Sequence, residues 1–124
     1  MQEVNEKTGE TFTMSESHAI MRYLATTRDV ADHWYPKDAR KRAVVDQYLD
    51  MHHSYIRQGI GAYTFKKLFA PMIINKVYKE EELEFHKIML ARSLRNFEER
   101  LSQSKFLCGN EMTIADLSAA MELD

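Results

Sequence analysis

The sequence predicts a mainly α-helical protein, and three observations carry that prediction. Between residues 37 and 70, Val44, Val45, Tyr48, Leu49, His52, Ile56, Ile60 and Tyr63 recur at spacings of three and four. Between residues 79 and 104, Leu83, His86, Leu90, Leu94, Phe97 and Leu101 do the same. Strand-like alternation is confined to the first fourteen residues, and only 4 Gly and 2 Pro punctuate the 124-residue chain.

Each element has its own local reason. Residues 2–5 and 10–14 read as a short hairpin around a turn ending in Gly9, with Thr11, Phe12, Thr13 and Met14 alternating. A helix follows from Glu16 to about Thr26, with Ser15 as its N-cap and Ala19, Ile20, Tyr23 and Leu24 on one face. Residues 27–35 form a connector, and Pro36 suits a first helical position. The long helix over 37–70 carries Gly59 and Gly61, where a bend or a close backbone approach is expected, and Pro71 ends it. After a loop around 74–78, the second long helix opens with Glu80, Glu81 and Glu82, acidic residues suited to the positive end of a helix dipole. Residues 106–112 form a loop, and a third helix starts after Thr113.

Hydrophobic residues at 44% and charged residues at 29% describe an ordinary globular chain long enough for one core. Nineteen acidic against seventeen basic residues give a net charge of -2, which offers no footprint for nucleic acid or an anionic membrane. The single cysteine, Cys108, excludes an internal disulfide scaffold. The longest apolar run, residues 69–74, is interrupted by Pro71 and falls far short of the ~20 residues of a membrane span. The polar, acidic start is unlike a signal peptide, so the default compartment is cytoplasmic.

Few side chains point to chemistry on their own. Thr113-Ile114-Ala115-Asp116 is a capping box, Thr113 accepting from the Asp116 N–H and Asp116 from the Thr113 N–H, with Met112 and Leu117 at the staple positions. That is a structural role. Ser15, Glu16 and Ser17 leave two readings open: a plain helix cap, or a site where the first-turn N–H groups receive a carboxylate. Adjacent His52 and His53 point about 100° apart on a helix and cannot chelate one metal well, so no metal site is expected. Nothing beside Cys108 lowers its pKa toward a catalytic thiolate. Arg40, Lys41 and Arg42 read as a solvated face or a dimer rim.

Order and spacing of several segments carry a resemblance. Ser15-Glu16-Ser17-His18-Ala19-Ile20 is followed by Val30-Ala31-Asp32-His33-Trp34-Tyr35-Pro36, Lys41-Arg42-Ala43, Leu49-Asp50-Met51-His52-His53, Ile56-Arg57 and the box from Thr113 to Leu117. Together they resemble the theta class of cytosolic glutathione transferases, in its plant-type form, over most of the chain and least over 73–95. The resemblance implies a remnant of a thioredoxin-like domain over 1–27 (hairpin plus helix), a linker over 28–36, and part of an all-helical C-terminal domain over 37–124. It also implies an internal fragment: the opening βαβ unit, the cis-proline and the glutathione-activating serine would precede Met1, and the end of the helical domain would follow Asp124.

Function and site follow from the same resemblance. It implies a glutathione transferase that joins glutathione, as co-substrate, to small electrophiles or reduces organic hydroperoxides, with no other cofactor and as a homodimer. Little or no turnover is expected from this stretch alone. Glu16 and Ser17 would hold the γ-glutamyl end of glutathione, and Arg57 would support its thiolate, although Gln58 stands where many relatives have a second arginine. Tyr55, Ile60, Tyr63 and Phe65 would line the electrophile pocket, a role that competes with plain core packing at helical spacing. The competing class is a non-catalytic transferase-like module that mediates protein contacts.

Overall fold

The computed structural model describes residues 1–123 and is mainly helical. Strands β1 (Gln2–Val4) and β2 (Thr11–Thr13) pair antiparallel, with Glu3 opposite Phe12. Asn5 closes their connection by accepting from the Lys7 and Thr8 N–H groups, and Gly9 takes the positive φ of 71° that the turn requires.

Helix α1 spans Ser17–Thr27. Its buried residue is His18, and Met21 and Ala25 pack against the core. The expected face of Ala19, Ile20, Tyr23 and Leu24 is only half-buried, so the helix is rotated from the orientation that its apolar residues alone suggest. Ion pairs fix that rotation: Arg22 donates to Asp46 at 2.7 Å and to Asp50 at 2.8 Å, on the next helix. On the opposite side Tyr23 and Arg28 both bond Glu3 of the hairpin.

A short 3-10 turn, Asp32–Trp34, crosses to helix α2 (Ala39–Met51). Its cap is Asp38, which accepts from the Arg40 and Lys41 N–H groups; Pro36 lies outside the helix, its carbonyl accepting from Arg42. Arg42 also lies 4.8 Å over the Tyr35 ring, so one member of the basic cluster is a linker clamp rather than a solvated charge. Beyond Met51 the helix continues through π-helical turns, His52–Gly61, an α-turn Ala62–Thr64, a second π segment Phe65–Phe69 and a last α-turn Ala70–Ile73. Each junction residue is right-handed helical, so residues 39–73 form one continuous rod. Pro71 does not end it. It occupies the start of the final turn, where a missing N–H is harmless.

Helix α3 (Glu80–Gln103) packs back along the rod, and α4 (Ile114–Leu123) closes the bundle. The crossing falls at Gly59: a Cβ there would stand 2.6 Å from the Met89 carbonyl carbon and oxygen, so only glycine permits the contact. The core lies between the three helices, with Val45, Tyr48, Leu49, Ile56, Ile60, Phe97, Leu107, Ile114, Ala115 and Ala119 in one cluster. The buried line of α3 is Leu83, His86, Met89, Ser93 and Phe97, whereas Leu94, Leu101 and, on α2, Val44 are exposed. Ser93 fits that line because its hydroxyl donates back to the Met89 carbonyl, leaving no unpaired polar atom.

Candidate functional site

The first turn of α1 is open. Glu16 occupies the cap position in place of Ser15, with φ 68° and ψ 112°, and no side chain caps the helix among the described residues. Positive φ in a residue with a Cβ costs roughly 1–3 kcal/mol and is characteristic of sites where function holds the backbone. Glu16 and Ser17 are both exposed. The outcome is an uncapped helix N-terminus whose N–H groups have no intrahelical partners, with a hydroxyl and a carboxylate at its edge.

His18, next in the chain, turns inward. Its ring lies 4.2 Å from that of His53 and 5.0 Å from that of His52, and its Nε2 is 2.7 Å from Ser118 Oγ on α4. Burial, then the neighbouring His53 and His52, push its pKa down to about 4. Burial likewise lowers His52, opposed by Glu122 at 3.4 Å. Glu122 also faces Arg57 at 3.5 Å, across a gap that Gly61 leaves open. The α1 N-terminus therefore meets the π-helical stretch within one turn of Arg57, whose own side chain is more than half exposed. Long π segments are rare and recur at functional sites, because an added residue per turn re-aims the side chains that follow.

The apolar candidates do not converge. Ile60 is buried in the core cluster. Tyr55 faces α3, 5.6 Å beneath the Arg92 guanidinium, in a cavity of about 320 Å3 shared with Met51, Arg95, Asn96 and Glu99. Tyr63 is half-buried and Phe65 is exposed. Of the two adjacent histidines, His52 is buried and His53 partly so, and no group of three metal-ligating side chains is found among the described residues. Burial raises the Cys108 thiol to about 11, leaving it a poor nucleophile.

The capping box forms with one exchange. Asp116 accepts from the Thr113 N–H at 2.8 Å as expected, but Thr113 Oγ1 accepts from Ala115 rather than Asp116. Asp116 also accepts from the Leu107 N–H at 2.8 Å and so ties down the preceding loop. Sequence reasoning missed His18, Ser118 and Glu122 entirely. One signal was present: a histidine directly after Ser17, at a position where the helix turns inward.

Residues 62–124 match the family described as "Glutathione S-transferase, C-terminal domain". The chain is 41% identical over 113 residues to glutathione S-transferase theta-1 of Gallus gallus, covering 90% of this chain and 43% of that protein. It is 38% identical over 112 residues to glutathione S-transferase T1 of Arabidopsis thaliana, covering 87% and 45%. Among solved structures it resembles human glutathione-S-transferase T1-1 in its apo form, with a TM-score of 0.81 and 33% identity over 90% of this chain and 47% of that one. It also resembles a human theta-class transferase in complex with the glutathione conjugate of 1-menaphthyl sulfate, with a TM-score of 0.80 and 35% identity over 90% and 46%. The chain spans less than half the length of these relatives.

Proposed function

The chain belongs to the glutathione S-transferase family, with theta-class relatives, and from that premise we propose that the first turn of α1 binds the γ-glutamyl end of glutathione in a glutathione-conjugating transferase. The observation that carries this reading is Glu16, held at positive φ ahead of an uncapped helix start. A bound α-carboxylate would accept from the first-turn N–H groups and the Ser17 hydroxyl, and the Glu16 carboxylate would face the neighbouring ammonium. Arg57, held toward Glu122, would place its positive charge near the thiol and favour the thiolate. That thiolate attacks a small electrophile: a carbon–sulfur bond forms and the leaving group departs with its electron pair. With an organic hydroperoxide the thiolate attacks oxygen instead: a sulfur–oxygen bond forms as the O–O bond breaks, the alkoxide leaves and takes a proton, and a second glutathione thiol reduces the sulfenic acid to give the disulfide and water.

Tyr55, Ile60, Tyr63 and Phe65 stand as candidates for the electrophile side, with Phe65 the most available and Ile60 committed to the core. We divide the chain into 1–27, 28–36 and 37–124, a reading supported by the middle stretch holding no more regular structure than the short 3-10 turn Asp32–Trp34. A homodimer completes the reading, supported by the apolar groove between α1 and α4, and a cytoplasmic location is proposed with it from the theta-class relatives.

Binding is the measurement that decides. In an NMR titration of the chain with glutathione, the amides of Ser17, His18 and Ala19 are expected to shift together. Ser17→Ala should weaken the interaction roughly tenfold or more, the usual cost of losing a hydrogen bond to a charged group. Shifts confined to other parts of the chain would sink the assignment and favour a non-catalytic contact module.

A further inference from the structure

Five polar side chains meet where α1, the rod and α4 converge, and the binding reading uses none of the inner ones. His18 comes from α1, His52 and His53 from the π-helical segment, and Ser118 and Glu122 from α4. His18 is 5% exposed and His52 1%. The His18 ring packs against His53 of the rod and its Nε2 meets Ser118 of α4, so a single imidazole ties α1 to two other elements.

We propose that His18 is a positioning residue that acts as an acid-released latch: its neutral imidazole clamps the first turn of α1 onto the rod and α4, and a proton added to it opens the clamp. Its consequence for glutathione rests on the assignment of Glu16 and Ser17 given above, because His18 is the next residue in the chain.

Charge explains why the neutral form is the one that fits. In the neutral ring one nitrogen carries a proton and the other a lone pair, and in either tautomer Nε2 can pair with the Ser118 hydroxyl, which both donates and accepts. The charged or titratable groups around the ring are all basic: Arg22 on its own helix, and His52 and His53 on the rod. From α4 comes only the Ser118 hydroxyl, since Glu122 lies one turn further on and is engaged by His52 and Arg57. Arg22 in turn is engaged by Asp46 and Asp50. A protonated His18 is thus a buried cation among potential cations, with no carboxylate on it among the described residues.

The sign of the effect follows. His18 titrates near 6.5 in the unfolded chain and is pushed down to about 4 in the folded one. Between those values the unfolded chain binds the additional proton. The stability contributed by neutral His18 is therefore complete above about pH 6.5 and is lost as pH falls toward 4.

Thermal unfolding of the chain between pH 7 and pH 5 tests the latch. The midpoint is expected to fall by roughly 5–10 °C over that range. His18→Leu should remove about half of that fall or more, the remainder belonging to His52, while Ser118→Ala should lower the midpoint and keep the slope. A His18→Leu chain that folds and keeps the full slope overturns the proposal. If that variant does not fold, the ring proton signals of the unmodified protein decide. A His18 that titrates near 6.5 in the folded chain overturns it, and so does a His18 that protonates without moving the Ser17 and Ala19 amides. None of these measurements contains glutathione. A failed glutathione titration would therefore count against the binding reading and leave the latch to stand or fall by itself.

Discussion

Asp116 accepts hydrogen bonds from three donors: the Thr113 N–H, the Thr113 hydroxyl and the Leu107 N–H. The first two belong to an ordinary helix cap, worth about 1 kcal/mol. The third satisfies a backbone group of the buried Leu107, and orphaning such a group costs about 1–3 kcal/mol. Asp116→Ala is therefore expected to destabilise the chain by about 3 kcal/mol, well beyond Thr113→Ala at about 1 kcal/mol, as read by urea unfolding. Equal losses for the two would mean that the loop contact is energetically empty. The cap was legible in the sequence because its partners are three residues apart. The Leu107 contact was not, since it depends on where a loop returns. The same division explains His18. Its neighbours on α1 are close in sequence, but the Ser118 hydroxyl that completes its environment lies a hundred residues on.

At the scale of elements, the contact between rod and α3 is set by one missing side chain. A Cβ on Gly59 would collide with backbone atoms of Met89 and Leu90 at 2.6–2.7 Å, and backbone cannot rotate away as a side chain can. Gly59→Ala is expected to cost about 2–3 kcal/mol, as overpacking does, despite the better helix propensity of alanine. A melting temperature that rises instead would mean the helices separate freely. The sequence left a bend or a close approach open at Gly59 and Gly61, and the structure makes Gly59 the close approach and supplies its partner. Periodicity also found both long helices and most of the rod's buried face, because that face is apolar except at His52. It misplaced the face of α1 and part of the line of α3: Leu83, His86 and Phe97 are buried as expected, whereas His18 and Ser93, buried through hydrogen bonds rather than hydrophobicity, were missed. It had no means of showing the π turns, since their widening reflects how the rod packs and not the spacing of apolar residues.

For the molecule as a whole, one departure from an ordinary monomer surface lies where α1, the linker and α4 meet. Met21, Leu24, Ala25, Val30, Trp34 and Leu117 line a groove of about 300 Å3, with Arg28 at its rim. Contiguous apolar surface in water drives association, and a two-fold partner would cover the same groove on both copies at once. The near-zero net charge of -2 offers little repulsion against that approach. A dimer or larger species is therefore expected by light scattering at micromolar concentration. Leu117→Glu should shift the population to monomer with little change in melting temperature at fixed low concentration. Leu117 is 45% exposed in the chain by itself, so its side chain contributes to association more than to the core. A wild-type chain that stays monomeric rules this interface out. A Leu117→Glu variant that still associates moves the contact to another exposed apolar stretch, such as Met72, Ile73 and Val77 at the end of the rod.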